Sequence, residues 1–187
     1  MPTAQQVYQM LGNESVWDVV RELHRELTVA ALPYALCGDV AVCLHGYQRN
    51  TVDVDLLIRP TDSEKVRETL AAAGLTWVDG QKEFRSASGV AVQFLLTGDR
   101  AGSGSEILLP EPLGEFTVEE IEGLPVLKLS KLLETKIACG LGSVRRTHKD
   151  VVELIAIRNL DSSFARFLHK SVRETFRKLV RNARDEA

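Results

Sequence analysis

Two short apolar runs, separated by a brief helical stretch, constrain the fold of this 187-residue chain more than any other feature. Residues 34–37 (Tyr-Ala-Leu-Cys) form an apolar run that ends at Gly38, as expected for a buried strand. Residues 39–46 suit a short helix that ends at Gly46, since glycine commonly terminates helices. Residues 52–58 alternate at first and then become wholly apolar, which predicts a second strand that enters the core.

Further helices and strands are predicted around this unit. Residues 15–30 carry apolar side chains at helical spacing, and residues 61–64 (Thr-Asp-Ser-Glu) have the form of a capping box for a helix that ends at Gly74. The other predictions are strands around residues 83–86 and 90–97, a long surface loop over 98–115, one or two short strands within 118–126, and helices from 129 onward with breaks near 140–143 and 161–162.

This pattern predicts an α/β (α+β) protein with a mixed β-sheet flanked by helices and a C-terminal helical extension. We expect residues 1–126 to form the α/β core and residues 127–187 to form a helical region packed on that core. Hydrophobic residues make up 44% and charged residues 26% of the chain, a balance typical of globular domains.

Composition also gives expectations about location. The three cysteines, Cys37, Cys43 and Cys139, lie in apolar surroundings without CxxC spacing, which favours reduced core residues over disulfides or zinc ligands. The sequence shows neither a signal-peptide pattern nor an apolar run of the ~20 residues needed to span a bilayer. We therefore expect a cytoplasmic protein with no membrane association.

Charge is distributed unevenly along the chain. The formal net charge is −3, so the molecule as a whole does not attract nucleic acid. The last stretch is nevertheless basic, with Arg166, Lys170, Arg173, Arg177, Lys178, Arg181 and Arg184. These residues form either the solvated face of a helix or a surface for nucleic acid, and the second interpretation predicts a steeply salt-dependent affinity.

Asp53 and Asp55 are the candidate metal ligands. Residues i and i+2 of a strand face the same side, so the two carboxylates form a compact acidic patch at the start of the predicted strand. Their mutual repulsion is relieved by a divalent cation, and Mg²⁺ favours such oxygen ligands together with waters and substrate phosphates. The alternative is a solvated strand end, because Asp-x-Asp is a short motif.

Gly38 provides the second half of the candidate site. A glycine at a strand-to-helix turn lets a ligand approach the backbone, where the helix N-terminus offers unpaired N–H groups to an anion. Carboxylates that hold a metal beside such a turn suit a nucleoside triphosphate.

Residues 33–58 resemble the opening of the nucleotidyltransferase superfamily, which has the fold of DNA polymerase beta. The shared pattern is an apolar strand, glycine, a short helix, and Asp-x-Asp on the next strand. The sequence His45-Gly-x-x-Arg49-x-Thr51-x-Asp53-x-Asp55 is similar to the minimal, AbiEii toxin-like branch. The resemblance covers roughly residues 30–180, with further matches at Gly98, Gly102, residues 110–112, residues 132–136, Gly140 and residues 146–155.

The resemblance implies roles for specific residues. Asp53 and Asp55 would be catalytic Mg²⁺ ligands, and Gly38, Asp39, Arg49, Thr51 and Lys136 would lie at the nucleotide. Arg49 would neutralise phosphate or form a surface salt bridge, and Lys136 would touch phosphate or form an ion pair.

Two residues depart from the family pattern. Gln93 stands where relatives carry a third catalytic carboxylate, and a glutamine cannot accept a proton as a base. Asp39 follows Gly38 where glycine or serine is usual, so it repels phosphate unless a metal or a basic residue offsets it, or it caps the helix or joins the metal site. Glu83 and Asp99 are candidates for a substituted third acid.

Two functions follow from the resemblance. The first is a Mg²⁺-dependent nucleotidyltransferase that moves a nucleoside monophosphate from a nucleoside triphosphate to an RNA end, a protein or a small molecule. The second, motivated by Gln93 and Asp39, is a catalytically degenerate binding module with a cognate protein partner, such as a toxin–antitoxin component.

Overall fold

Six helices and seven strands make up the part of the chain that this computed structural model describes, residues 14–141 and 148–185. The helices are α1 (Glu14–Val29), α2 (Gly38–Leu44), α3 (Ser63–Ala72), α4 (Leu129–Gly140), α5 (Lys149–Ile157) and α6 (Arg173–Asp185). The strands are β1 (Tyr34–Cys37), β2 (Asp53–Ile58), β3 (Thr76–Val78), β4 (Glu83–Arg85), β5 (Ala91–Leu96), β6 (Val118–Ile121) and β7 (Leu124–Leu127). Short 3₁₀ helices cover Pro60–Asp62, Ser162–Phe167 and Lys170–Val172.

The seven strands form one mixed sheet in the order β3-β4-β5-β2-β1-β7-β6. The pairs β2–β5 and β1–β7 are parallel, and the other neighbouring pairs are antiparallel. The predicted mixed sheet flanked by helices is therefore confirmed.

The register of the central strands brings four residues into one row. Asp55 pairs with Cys37 on one side and with Gln93 on the other, and Gln93 also pairs with Glu83. Paired residues project from the same face of a sheet, so these side chains lie next to one another. Asp53 shares this face because it precedes Asp55 by two residues.

The opposite face of β2 lies in the core. Val54, Leu56 and Ile58 are fully buried, as the alternation of a half-polar strand requires. Leu23 of α1 and Phe176 of α6 are also fully buried and belong to the same hydrophobic cluster. Burial of side chains of this size contributes about 1.5–3 kcal/mol each. One core therefore includes residues from both sides of the predicted boundary at residue 126, and the division into two parts stays a prediction.

Two local predictions differ from the structure. The capping box at residues 61–64 does not form, because Pro60 begins a 3₁₀ turn and α3 starts only at Ser63. The fixed φ of proline suits such a tight turn, and the Ser63 hydroxyl donates to the carbonyl of Pro60 at 2.9 Å. Strand β3 was not predicted from the sequence.

The segment 98–115 differs from the expected surface loop, because Ala101, Ile107 and Leu109 are buried in the hydrophobic core. The loop over residues 98–115 folds back on itself, with a bridge between Arg100 and Leu108. The predicted break near residues 140–143 falls largely outside the described residues, and the break near 161–162 coincides with the 3₁₀ helix that starts at Ser162. None of the described helices has the length and apolar composition needed to cross a membrane.

Candidate active site

Gly38 and Asp55 are in direct contact at the start of α2. Gly38 has φ +60°, a backbone conformation that side chains disfavour, and a Cβ added there would lie 1.8 Å from Oδ2 of Asp55. Both the backbone conformation and the available space therefore require glycine. Because Cys37, the residue before Gly38, pairs with Asp55, the end of β1 brings the glycine to the carboxylate.

Asp53 and Asp55 lie on the same face of the sheet at the start of β2, and Thr51 contacts Asp53. The Thr51 hydroxyl is buried and lies 3.2 Å from the carbonyl oxygen and 3.3 Å from Oδ1 of Asp53. Both Asp53 and Asp55 are partly exposed, so their carboxylates are accessible to a ligand. The structure therefore brings Gly38, Thr51, Asp53 and Asp55 together, with Thr51 placed to orient Asp53.

Gln93 is the third side chain of this row, and Glu83 is its partner. Nε2 of Gln93 donates a hydrogen bond to Oε2 of Glu83 at 3.0 Å. Glu83 is only 5% exposed and also forms an ion pair with Arg85. Glu83, a candidate for a substituted third acid, lies one strand beyond Gln93, with Oε2 in a hydrogen bond and Oε1 in an ion pair only.

Asp99, the other proposed substitute acid, lies elsewhere. Because Asp53 pairs with Ala91 and Ile58 pairs with Leu96, Asp99 follows the opposite end of β5. Gln93 is three residues from this end of β5, so at about 3.3 Å per residue Asp99 lies about 10 Å or more from the candidate site.

A closed ring of ion pairs joins Asp39, Arg49, Lys136 and Asp150. Nζ of Lys136 lies 2.5 Å from Oδ1 of Asp39 and 2.8 Å from Oδ2 of Asp150. Arg49 lies 3.1 Å from Oδ2 of Asp39 and 2.7 Å from Oδ2 of Asp150. The four side chains are each at most 34% exposed. Two positive and two negative charges therefore balance within this ion-pair ring.

The ion-pair ring offsets the negative charge of Asp39 beside the Gly38 turn. Of the alternatives open for Asp39, the helix cap does not form, because its carboxylate pairs with side chains and not with a backbone N–H of α2. Lys136 and Arg49 offset its charge instead, because a carboxylate between two cations is better stabilised than one that faces a single backbone N–H. Asp150 is the residue that sequence reasoning did not select, although it falls within the matching segment 146–155.

The ring also keeps its cations charged. Burial lowers the pKa of Lys136, but the carboxylates of Asp39 and Asp150 raise it by more, so the pKa lies above its ordinary value. The same balance of burial against Asp39 and Asp150 raises the pKa of Arg49. Lys136 is therefore a fixed positive charge near neutral pH and not a proton acceptor.

Two other titratable groups near the site are structural. Burial, followed by the charge of Asp55, raises the pKa of the Cys37 thiol, which donates to the carbonyl of Asp55 at 3.3 Å. His45 is buried, and its Nε2 lies 2.9 Å from the carbonyl of Leu127. The thiol is therefore unreactive, and His45 joins the turn after α2 to the end of β7.

The donor set fits a hard divalent cation. Across residues 14–141 and 148–185, no three His, Cys, Asp or Glu side chains are grouped closely enough to hold a metal. Asp53 and Asp55 supply two carboxylates on one open face, and Gln93 beside them carries an amide oxygen. Oxygen donors of this number suit Mg²⁺, which keeps several waters and takes further ligands from substrate phosphates.

The candidate site lies at the start of β2, the central strand of the sheet, and its carboxylates are partly exposed. Surface cavities of about 540 and 500 Å³ occur elsewhere in the described chain. The first lies beside Lys131 and residues 166–169, and the second beside Tyr34 and residues 112–115. Neither cavity is lined by Asp53 or Asp55, so neither of them is the candidate site.

The seven-stranded mixed sheet and its flanking helices have the nucleotidyltransferase fold. The chain is similar to ANT(2'')-Ia in complex with adenylyl-2''-tobramycin, at 13% identity over 86% of this chain and 96% of that chain, with a TM-score of 0.57. The solution structure of the antibiotic-resistance factor ANT(2'')-Ia matches with 11% identity, 90% and 92% coverage and a TM-score of 0.52. A candidate nucleotidyltransferase from Helicobacter pylori matches with 15% identity, 85% and 74% coverage and a TM-score of 0.51. No protein-family model and no curated protein matches the sequence.

Proposed function

We propose that this protein is a Mg²⁺-dependent nucleotidyltransferase that moves a nucleoside monophosphate group from a nucleoside triphosphate to an acceptor. The contact between Gly38 and the Asp55 carboxylate, with Asp53 on the same face, carries the proposal. A glycine in a left-handed conformation against a carboxylate is a specific arrangement, since any side chain at position 38 would displace Asp55.

Each residue of the site has a separate role in the proposed reaction. Asp53 and Asp55 hold the metal, and Thr51 orients Asp53. Arg49 and Lys136 pair with Asp39, the residue after the Gly38 turn, and offset the negative charge that would otherwise repel the phosphates. When bound, Mg²⁺ would neutralise phosphate charge and polarise the α-phosphoryl group.

The proposed reaction is a substitution at the α-phosphorus. An acceptor oxygen forms a bond to this phosphorus while the bond to the bridging oxygen of the β-phosphate breaks, and pyrophosphate leaves with that electron pair. Gln93 cannot accept the acceptor's proton, because an amide is not a base at neutral pH. The proton therefore passes to water or to a group of the substrate, and positioning with charge neutralisation supplies most of the rate.

The proposed acceptor is an RNA end, a protein or a small hydroxylated molecule. The neighbour ANT(2'')-Ia is in complex with adenylyl-2''-tobramycin, which supports a small-molecule acceptor within this fold.

The test is transfer of label from α-³²P-labelled nucleoside triphosphates, with pyrophosphate release measured in parallel. Asp53→Asn keeps the size of the side chain and removes its charge, so we expect at least a hundredfold loss of transfer. Asp99→Asn is the matched control, since Asp99 is exposed and lies beyond the other end of β5. Equal transfer by wild type and Asp53→Asn would exclude the mechanism.

A catalytically degenerate binding module is the second candidate. Gln93 in place of an acid and the closed ring that engages both Arg49 and Lys136 favour it. In this case the protein binds a nucleotide or a cognate partner, as expected for a toxin–antitoxin component of the AbiEii-like branch. Acceptor-dependent release of pyrophosphate by the purified protein would exclude this candidate.

A further inference from the structure

Gln93 lies between one carboxylate that belongs to the candidate metal site and another that does not. It pairs with Asp55 on β2 and with Glu83 on β4. Directly paired side chains share a face, with Cβ atoms about 4.5–5.5 Å apart. The amide of Gln93 therefore has a carboxylate on either side.

The hydrogen bond to Glu83 fixes the orientation of this amide. Nε2 of Gln93 lies 3.0 Å from Oε2 of Glu83, and an ionised carboxylate only accepts hydrogen bonds. The nitrogen must therefore face Glu83. Because nitrogen and oxygen are the two branches of the amide, Oε1 of Gln93 is directed away from Glu83, to the side on which Asp55 lies.

Glu83 is itself held in place. It is 5% exposed and forms an ion pair with Arg85, so it has little freedom to turn away from Gln93. A buried carboxylate is costly unless it is paired and hydrogen-bonded, and these two contacts meet that requirement.

We propose that Gln93 contributes its amide oxygen as a third, neutral donor to the divalent cation, and that Glu83 is the positioning residue that turns this oxygen toward Asp55. The protein then supplies only two negative charges, those of Asp53 and Asp55, because Asp39 and Asp150 are balanced within the ion-pair ring. The cation therefore binds firmly only together with the triphosphate, whose oxygens complete its shell. This inference rests on the proposed function for the identity of the ligand.

The exchange variant Glu83→Gln/Gln93→Glu tests the inference. It preserves the composition, the net charge and a donor–acceptor pair between the same two positions, but it puts a carboxylate beside Asp55. Mn²⁺ is the probe, because the electron paramagnetic resonance signal of the free ion reports how much remains unbound. Without nucleotide, we expect the exchange variant to bind Mn²⁺ at least tenfold more tightly than the wild type.

Nucleotide provides the second comparison. The complex of the wild type with an α,β-methylene analogue of ATP, which cannot transfer its nucleotide, should bind Mn²⁺ at least tenfold more tightly than either the protein or the analogue does alone. Asp55→Asn added to the exchange variant should abolish the gain, which places the ion at this site. If the exchange variant fails to fold, Gln93→Glu alone gives the same comparison, with Mn²⁺ raising its unfolding temperature more than that of the wild type.

Several outcomes would overturn the inference. These are an exchange variant that binds Mn²⁺ no better than the wild type, a gain that survives Asp55→Asn, or a wild type that binds Mn²⁺ equally well with and without nucleotide. If the exchange variant gains Mn²⁺ binding but no nucleotide is transferred by the wild type, the transferase proposal fails and the assignment of Gln93 stands.

Discussion

Asp150 lies 101 residues after Arg49 in the sequence and accepts hydrogen bonds from its guanidinium through both carboxylate oxygens, at 2.8 and 2.7 Å. The same carboxylate also pairs with Lys136, so Asp150 links α5 to α4 and to the loop before β2. This residue therefore holds both candidate phosphate-binding cations next to Asp39.

The ion-pair ring should behave as one unit in a double-mutant cycle. Asp150→Asn and Lys136→Met each leave charged partners without a counter-charge, so we expect each to lower the free energy of unfolding by about 1–3 kcal/mol. The double variant should lose less than the sum of the two, since the second change removes a charge that the first left unpaired. Urea unfolding measures all four proteins.

Arg25→Gln on α1 is the control for this cycle. Arg25 is exposed and pairs only weakly with Glu22 and more closely with Glu26, so its loss should change stability by less than about 0.5 kcal/mol. Strictly additive effects of the two ring variants would show that the ring is not coupled.

Gly38→Ala should damage the site by steric overlap with Asp55 as well as by backbone strain. Gly74 has a similar positive φ but has no atom within 4 Å of an added Cβ, so Gly74→Ala reports strain alone, about 1–2 kcal/mol. At Gly38 the added carbon meets Asp55, so we expect a greater loss of stability and loss of nucleotide binding. Equal stabilities in urea, with nucleotide affinity retained in Gly38→Ala, would contradict the close approach.

His45 should make stability depend on pH on the acid side. Burial lowers the pKa of His45, and the hydrogen bond to Leu127 offsets this only in part, so the folded protein binds a proton less readily than the unfolded chain. Stability from this residue is complete above the unfolded pKa of about 6.5 and falls as the pH drops below it, by at most about 1.4 kcal/mol per pH unit.

His45→Gln keeps a donor for the carbonyl of Leu127 and removes the titration. Unfolding in urea at pH 7.5 and at pH 5 should therefore show a smaller loss of stability for the variant than for the wild type. Parallel pH profiles would mean that His45 does not contribute to the acid sensitivity.

Three of the C-terminal bases, Lys178, Arg181 and Arg184, lie on the exposed face of α6. Phe176 and Val180 of this helix are buried, whereas Lys178, Arg181 and Arg184 are exposed. If this face binds single-stranded nucleic acid, replacing the three exposed bases by glutamine should make the plot of log affinity against log salt shallower by about 2. Fluorescence anisotropy with a labelled oligonucleotide measures the slope.

A triple variant with the same charge change provides the comparison. Arg21→Gln/Arg25→Gln/Lys65→Gln alters exposed bases on α1 and α3 and should leave the slope unchanged. If both triple variants change the slope equally, or neither binds differently from the wild type, the basic face of α6 is a solvated surface.

The sequence predicted the parts of the site that lie close together along the chain. Gly38, Thr51, Asp53 and Asp55 fall within 18 residues, and local patterns are enough to place them on adjacent strands and turns. The mixed sheet followed from the same alternation of apolar and polar residues.

Contacts between distant segments could not be predicted in this way. Lys136 and Asp39 are 97 residues apart, and a sequence does not show which of several carboxylates a lysine will meet. The role of Glu83 depends on the β4–β5 register, because a shift of one residue would turn it to the other face. The capping box at residues 61–64 does not form because a 3₁₀ turn that begins at Pro60 replaces the first turn of the predicted helix.

Calorimetric titration with ATP, GTP, CTP and UTP, each with and without Mg²⁺, tests the central claim most directly. We expect at least one nucleotide to bind in a Mg²⁺-dependent manner and this binding to be lost in Asp53→Asn but kept in Asp99→Asn. Absence of binding by all four nucleotides, or binding that is unchanged in Asp53→Asn, would contradict a metal–triphosphate site at Gly38, Asp53 and Asp55.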